Sequence, residues 1–408
     1  MPQTRTTRLV STVFAGLATM AVAGAIPAPA SAETLTIGAI LELSGRFVSF
    51  GAHCQRGLDM AAKAYGDTVA GMKYEYAYRD VQSEARGVIS AFGELGSTKH
   101  LNYIIGPTAS PVVAASIPPW QQAKPLWLVP GASSLDVENL AGQEPMFFHT
   151  YPYAYHYHKS MAAALKQALG PGKKIAVLYS DDAYGRSHLP AIEKYYTEAG
   201  FELIVKESVR TNSPDMTPVI TRAAHSKPDI LLGVMQTTDA ITLAKQVHTL
   251  RLKIPYLVGT AATQLEEWQA AVGEAQEGWL GVSTYLPGTE NWPADKANPK
   301  LLPSTKDWEA KFAADYHSTP DYDDVTCYSN AAMLLLAIQQ VGADDREKVA
   351  AALRQEDVMT PMGRGHFEPS EGTKQQAFAD LLIFQRQHGK NVILYPPAAA
   401  TGKLVPVE

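Results

Sequence analysis

The chain has 408 residues, 46% of them hydrophobic, enough to bury a large core and long enough that two domains are expected rather than one. Its 41 acidic residues outnumber its 35 basic ones, giving a net charge of −6, and no basic run or stripe appears, which argues against nucleic acid as a partner. The only cysteines, Cys54 and Cys327, have no neighbouring His or Asp ligands and so suggest no metal site; in an oxidising compartment they could pair, but their sequence separation says nothing about their distance.

Arg5 and Arg8 precede an uncharged run over residues 9–32 that ends in Ala30-Ser31-Ala32, the layout of a cleavable secretion signal. A membrane anchor is the rival reading, weakened by the small residues and by Pro27 and Pro29, since a spanning helix wants about twenty strongly apolar residues. Cleavage after Ala32 is expected, leaving a soluble chain that starts at Glu33 in the periplasm.

From there, short strands alternate with amphipathic helices, the signature of βαβ units and a parallel sheet. Residues 35–41 read as a strand, 55–65 as a helix with Leu58, Ala61, Ala62 and Tyr65 on one side, 74–78 as a strand and 84–96 as a helix. Residues 102–134 hold the densest pattern: a strand at 103–105, the turn Gly106-Pro107, a helix opening at Ser110, a second strand at 126–129, and the turn Pro130-Gly131-Ala132-Ser133-Ser134. Glycine lets backbone approach a ligand, and a helix N-terminus offers unpaired N–H groups, so the two turns suit a small carboxylate. Ser110 would add a hydroxyl, or would simply cap its helix. A second run follows residue 150, with helices at 155–169, 186–199, 217–225 and 238–250 and strands at 174–179, 201–205, 230–234 and 256–258. Ligands of open parallel sheets bind beyond the carboxyl ends of the strands, where Phe50, Ser110 and Ser133 fall.

The G-P-x-x-S turn followed about twenty residues later by P-G-A-S resembles the N-terminal lobe of the periplasmic leucine/isoleucine/valine-binding family, which feeds ABC importers. Residues 35–50 with Gly51 and Gly57, the strand end Arg79-Asp80, Asp182-Ala183-Tyr184-Gly185 and residues 363–367 follow in the family's order. The resemblance implies an α/β fold with two Rossmann-like lobes, parallel-sheet cores and a three-crossover hinge, the type I periplasmic binding fold. After the signal at 1–32, it places 33–150 and 285–362 in the N-terminal lobe and 151–284 and 363–408 in the C-terminal lobe. The second crossing falls near 284–288 and the third near 360–365. Between them lie an exposed loop over 287–303 and helices at 305–316 and 324–341, and final strands at 379–385 and 391–395 return to the second lobe.

By the same resemblance Ser110 holds a ligand carboxylate, Ala132 and Ser133 complete its site, Phe50 covers the ligand, and Tyr184 reaches across from the second lobe. Members that bind α-amino acids carry a glutamate after the strand equivalent to 256–259, where this chain has Thr260-Ala261-Ala262. An aromatic after strand 230–234 is replaced by Gln236 and Thr237. Losing the ammonium clamp would weaken an amino acid roughly ten- to a hundredfold unless Asp181, Asp182 or Asp239 compensates. The expected ligand is therefore a small carboxylate without an α-amino group, with the aromatic-rich hinge and Phe50 pointing to an aryl or arylalkenyl acid, and a branched-chain or other hydrophobic amino acid is the alternative. The aromatic run at 151–158 is read as packing the hinge with one or two rings in the cleft; a zinc site of His149, His156 and His158 is disfavoured because positions i and i+2 diverge on a helix. No G-x-S-x-G, P-loop, H-E-x-x-H or G-x-G-x-x-G motif occurs, so no enzyme activity and no cofactor are expected. The expected partners are the small ligand and an importer's permease, with the protein itself a monomer; a ligand sensor is the rival of another class.

Overall fold

The computed structural model describes residues 2–4, 7, 9, 34–97, 101–289 and 292–407. The expected secretion signal lies almost wholly outside them. Residues 34–408 form one compact unit built on two large sheets.

The first sheet runs Glu368–Ser370, Thr373–Gln376, Phe147–His149, Leu126–Val129, Tyr103–Ile105, Leu35–Leu41, Met72–Asp80, Thr68–Val69. Leu35–Leu41 is buried along its whole length because parallel neighbours flank it on both edges and helices cover both faces. The second sheet runs Lys390–Tyr395, Leu382–Gln387, Trp279–Ser283, Tyr256–Val258, Ile230–Val234, Lys174–Ser180, Glu202–Val209. Leu35–Leu41 lies between Met72–Asp80 and Tyr103–Ile105, and Lys174–Ser180 between Glu202–Val209 and Ile230–Val234, so each sheet has a topological switch point beyond the carboxyl end of its first strand.

Helix Val48–Tyr65 begins seven residues before the expected start. Its Gly51 lies so close to Glu42 that a Cβ would sit 2.2 Å from the Glu42 carbonyl oxygen, so glycine lets the first turn close against the end of Leu35–Leu41. This places Phe50 on a helix, stacked on Phe47 with ring centroids 6.1 Å apart, rather than on a loop. Helix Tyr322–Val341 packs along Val48–Tyr65, and Cys54 and Cys327 join the two in a disulfide with Cα atoms 5.1 Å apart. Its start is fixed by Asp321, whose carboxylate accepts from the Tyr322 N–H, and by Asp324, which accepts from the Asp321 N–H.

Two expectations need correcting. Strand Thr373–Gln376 joins the first sheet beside Phe147–His149, Gln376 opposite His149, so the last passage between sheets falls after Gln376 and before Leu382 rather than near 360–365. The sequence Thr-Lys-Gln-Gln has no apolar alternation to announce a strand; the pairing is set by its tertiary neighbour. The stretch 287–303 is not simply an exposed loop either, since Leu301 and Leu302 are buried and the Tyr328 hydroxyl donates to the Leu301 carbonyl (2.5 Å). Among the described residues no helix is long and apolar enough to cross a membrane.

Candidate functional site

The two glycine-containing turns of the first sheet meet backbone to backbone. A Cβ on Gly131 would lie 2.3 Å from the Thr108 carbonyl oxygen, and only glycine permits that approach. Ala132, next in line, has φ 69°, in the left-handed region that non-glycine residues enter rarely. Helix Ser110–Ala123 is capped by Ala109, which has no side chain to offer, so Ser110 is its first helical residue and not its cap. Among the described residues the Ser110 hydroxyl and the N–H groups of Ser110, Ala132 and Ser133 have no acceptor in the chain.

The preceding amides are already taken. Glu42, at the end of strand Leu35–Leu41, is fully buried and accepts from the Thr108 N–H (3.1 Å) and the Ala109 N–H (2.8 Å). Burial pushes its carboxyl up from 4.5 to about 7, against the pull of those same amide bonds. Nothing in the sequence marked Glu42, because a lone glutamate after an apolar strand looks like any solvated strand end.

The second lobe faces these turns with the loops that follow its own strands. Tyr184, on helix Ala183–Glu198, donates its hydroxyl to Thr260 (2.7 Å), and Gln236 and Ala261 follow strands Ile230–Val234 and Tyr256–Val258. All seven residues singled out from the sequence, Phe50, Ser110, Ala132, Ser133, Tyr184, Gln236 and Ala261, line one cavity between the lobes. Reasoning from sequence missed Tyr322, Met235 and Thr108 on the same wall, and placed one or two rings of the run 151–158 there without saying which. A tyrosine in the first turn of a helix, as Tyr322 is, reads equally well as core.

Five aromatic rings shape the cavity: Phe50, Tyr151, Tyr157, Tyr184 and Tyr322. The Tyr157 hydroxyl donates to that of Tyr151 (2.6 Å), and Tyr151 lies 5.2 Å from Tyr322, ring centre to ring centre. Within the aromatic run, then, Tyr151 and Tyr157 face the cleft. The others pack the hinge: Tyr153 stacks on His149 at 4.0 Å, and Tyr155 donates to Glu138 (3.0 Å). The three histidines of the disfavoured zinc site diverge. His149 bonds Gln376 and the Gly131 carbonyl, His156 accepts from the Tyr153 N–H, and His158 reaches His188.

Among the described residues, no charged side chain lines the cavity. The three aspartates considered as ammonium partners are engaged elsewhere. Asp181 pairs with Arg186 (2.5 Å). Asp182 caps helix Ala183–Glu198 through the Gly185 N–H (2.9 Å), and Asp239 accepts from the Asn212 N–H (2.7 Å). Arg46, from the first lobe, reaches both of these across the cleft, 3.5 Å from Asp182 and 3.7 Å from Asp239. Behind Tyr322 lies Asp323, buried with neither carboxylate oxygen hydrogen-bonded; burial, and then the charge of Asp321, push it well above the usual carboxylate range.

The model of the periplasmic binding protein family matches residues 34–390. The chain belongs to that family. Among its relatives, Leu/Ile/Val-binding protein homolog 7 of Brucella suis is 26% identical over 393 residues, covering 92% of this chain and 95% of that protein. The branched-chain amino acid transporter substrate-binding protein LivJ of Streptococcus pneumoniae, solved with isoleucine, superposes with a TM-score of 0.75 at 18% identity, covering 88% of this chain and 98% of that one. An ABC transporter solute-binding protein of R. palustris, solved with benzoate, gives a TM-score of 0.76 at 20% identity, covering 92% and 97%. At such identities the solved structures establish the fold alone: the two-lobed type I periplasmic binding fold.

Proposed function

We propose that this protein is the periplasmic substrate-binding component of an ABC importer and that it captures a small carboxylate, aryl or arylalkenyl in character, between its lobes. The observation that carries the reading is the make-up of the cavity wall. Hydroxyls and free N–H groups of Ser110, Ala132 and Ser133 converge from one lobe, five aromatic rings surround the space, and among the described residues no carboxylate side chain lines it to receive an ammonium.

The Ser110 and Ser133 hydroxyls and the helix N-terminus take the carboxylate, which needs donors and no counter-ion. Phe50 and the tyrosines hold the flat face of the ligand, each stacked ring adding about 0.5–1.5 kcal/mol beyond area burial. Tyr184 comes from the second lobe, so binding favours closure, and the closed form is what a permease would recognise. The protein carries a ligand and transforms nothing.

Relatives named for leucine, isoleucine and valine, and a structural neighbour holding isoleucine beside another holding benzoate, keep the amino-acid reading as the rival. A thermal-shift screen of the hydrophobic amino acids against benzoate and cinnamate separates the two, since a ligand at a hundred times its dissociation constant stabilises the fold by about 2.7 kcal/mol. Stabilisation by the aromatic acids is expected. Stabilisation by leucine or valine, with none by benzoate or cinnamate, overturns the proposal.

A further inference from the structure

Behind the cavity a chain of buried polar groups runs from the first lobe into the second. Ser133 Oγ is 2.9 Å from His188 Nε2, and His188 Nδ1 is 2.9 Å from His158 Nε2. His188 sits on helix Ala183–Glu198 and His158 on helix Ala154–Leu169, which pack together. The chain ends there: His158 Nδ1 is buried and has no hydrogen-bond partner.

That dead end sets the direction of every proton in the chain. Two neutral arrangements connect the three groups. In one, both imidazoles carry their proton on Nε2, so His158 donates to His188, His188 donates to Ser133, and His158 Nδ1 is a bare lone pair. In the other, both carry it on Nδ1, every bond reverses, and His158 is left with a buried N–H and no acceptor. Buried donors without a partner are rarer than under-used acceptors, which favours the first arrangement. Burial holds both rings neutral, pushing His158 down to about 3 and His188 well below its ordinary value, so a doubly protonated ring does not enter the choice.

With His188 donating to it, Ser133 Oγ has its own proton left to give, and the cavity is the side it lines. We propose that His188, oriented by His158, is a specificity-determining positioning residue: by donating to Ser133 across the lobes it commits the Ser133 hydroxyl to donate into the cavity, selecting a carboxylate over a carboxamide there. The inference rests on the reading of Ser133 as a carboxylate donor. It adds that this polarity is imposed from the second lobe, so it is complete only when the cleft is closed.

Two measurements test it. In a two-bond 1H–15N correlation spectrum of the histidine-labelled protein, both His158 and His188 are expected as Nε2–H tautomers; finding both as Nδ1–H overturns the proposal without any mutation. The second is a double-mutant cycle by calorimetry with benzoate and benzamide on wild type, S133A, H188F and the double variant. His188→Phe keeps a ring and removes the donor, and is expected to cut the preference for benzoate over benzamide about tenfold in the wild-type background and to change nothing once Ser133 is replaced by alanine. An equal loss in both backgrounds refutes action through Ser133 and leaves the carboxylate site standing. If S133A binds benzoate as wild type does, the site reading itself fails and the proposal falls with it. If H188F does not fold, the tautomer spectrum decides.

Discussion

Replacing Glu42 by glutamine isolates the buried acid beneath the ligand turns. Glu42 keeps its proton up to about pH 7 in the folded chain, while in the unfolded chain it releases it near 4.5. Between those values the native state binds more protons than the unfolded one, so Glu42's contribution to stability is fully present below pH 4.5 and is lost as pH rises through 7. The interval corresponds to about 3 kcal/mol. A glutamine at this position cannot titrate, and its carbonyl can still accept from the Thr108 and Ala109 amides, so the variant lacks this slope. Urea unfolding of both proteins from pH 4.5 to 8 is expected to show Glu42→Gln gaining on wild type by about 3 kcal/mol across the range. A difference that stays constant with pH refutes the assignment of Glu42 as a buried, easily protonated acid. The same logic reaches the ligand: an anion bound at the neighbouring Ser110 opposes the Glu42 charge, so benzoate affinity in wild type rises as pH falls from 8 to 6 and is flat in the variant.

Three further outcomes are expected. Ser110→Ala removes one charge-assisted bond to the ligand, so affinity for the cognate carboxylate drops by about 1.5–3 kcal/mol by calorimetry, while the melting point holds because the hydroxyl has no partner in the chain; an unchanged dissociation constant removes Ser110 from the site. Arg46→Ala breaks the only cross-cleft ion pairs among the described residues, and its expected effect is a faster ligand off-rate in stopped-flow; an off-rate equal to wild type counts against Arg46 as a latch. Reducing the Cys54–Cys327 bridge, which spans 273 residues, is expected to lower the unfolding free energy by about 2–5 kcal/mol, visible as a loss of melting temperature in dithiothreitol; no loss means the packing of the two helices it joins is sufficient alone.

Much of this architecture is legible in the sequence where local chemistry is unambiguous. Helix Thr305–Tyr316 and strands Ile230–Val234 and Tyr256–Val258 fall where the pattern puts them, the helix because the Ser304 hydroxyl accepts from the Asp307 N–H at its start. The turns at Gly106 and Gly131 announce themselves because glycine and proline punctuate apolar strands there. Where tertiary contact decides, the sequence is silent. Strand Thr373–Gln376 carries no apolar alternation to mark it, and helices Leu135–Ala141 and Arg346–Leu353, though capped by Ser134 and Asp345, are only seven and eight residues long, too short for a helical period to stand out. In the site, residues within ordered motifs could be named, whereas Glu42, Tyr322 and the His158–His188–Ser133 chain depend on distances between segments remote in sequence.

A carboxylate held without an ammonium partner is distinguished from an amino acid by calorimetry on ligands that differ only in that group: phenylalanine against 3-phenylpropanoate, and leucine against 4-methylpentanoate. With no carboxylate side chain among the described residues of the cavity wall, the deaminated acid of each pair is expected to bind at least about tenfold more tightly, because a desolvated ammonium left without a partner costs more than its absence. Tighter binding of phenylalanine or leucine than of its deaminated counterpart contradicts the account.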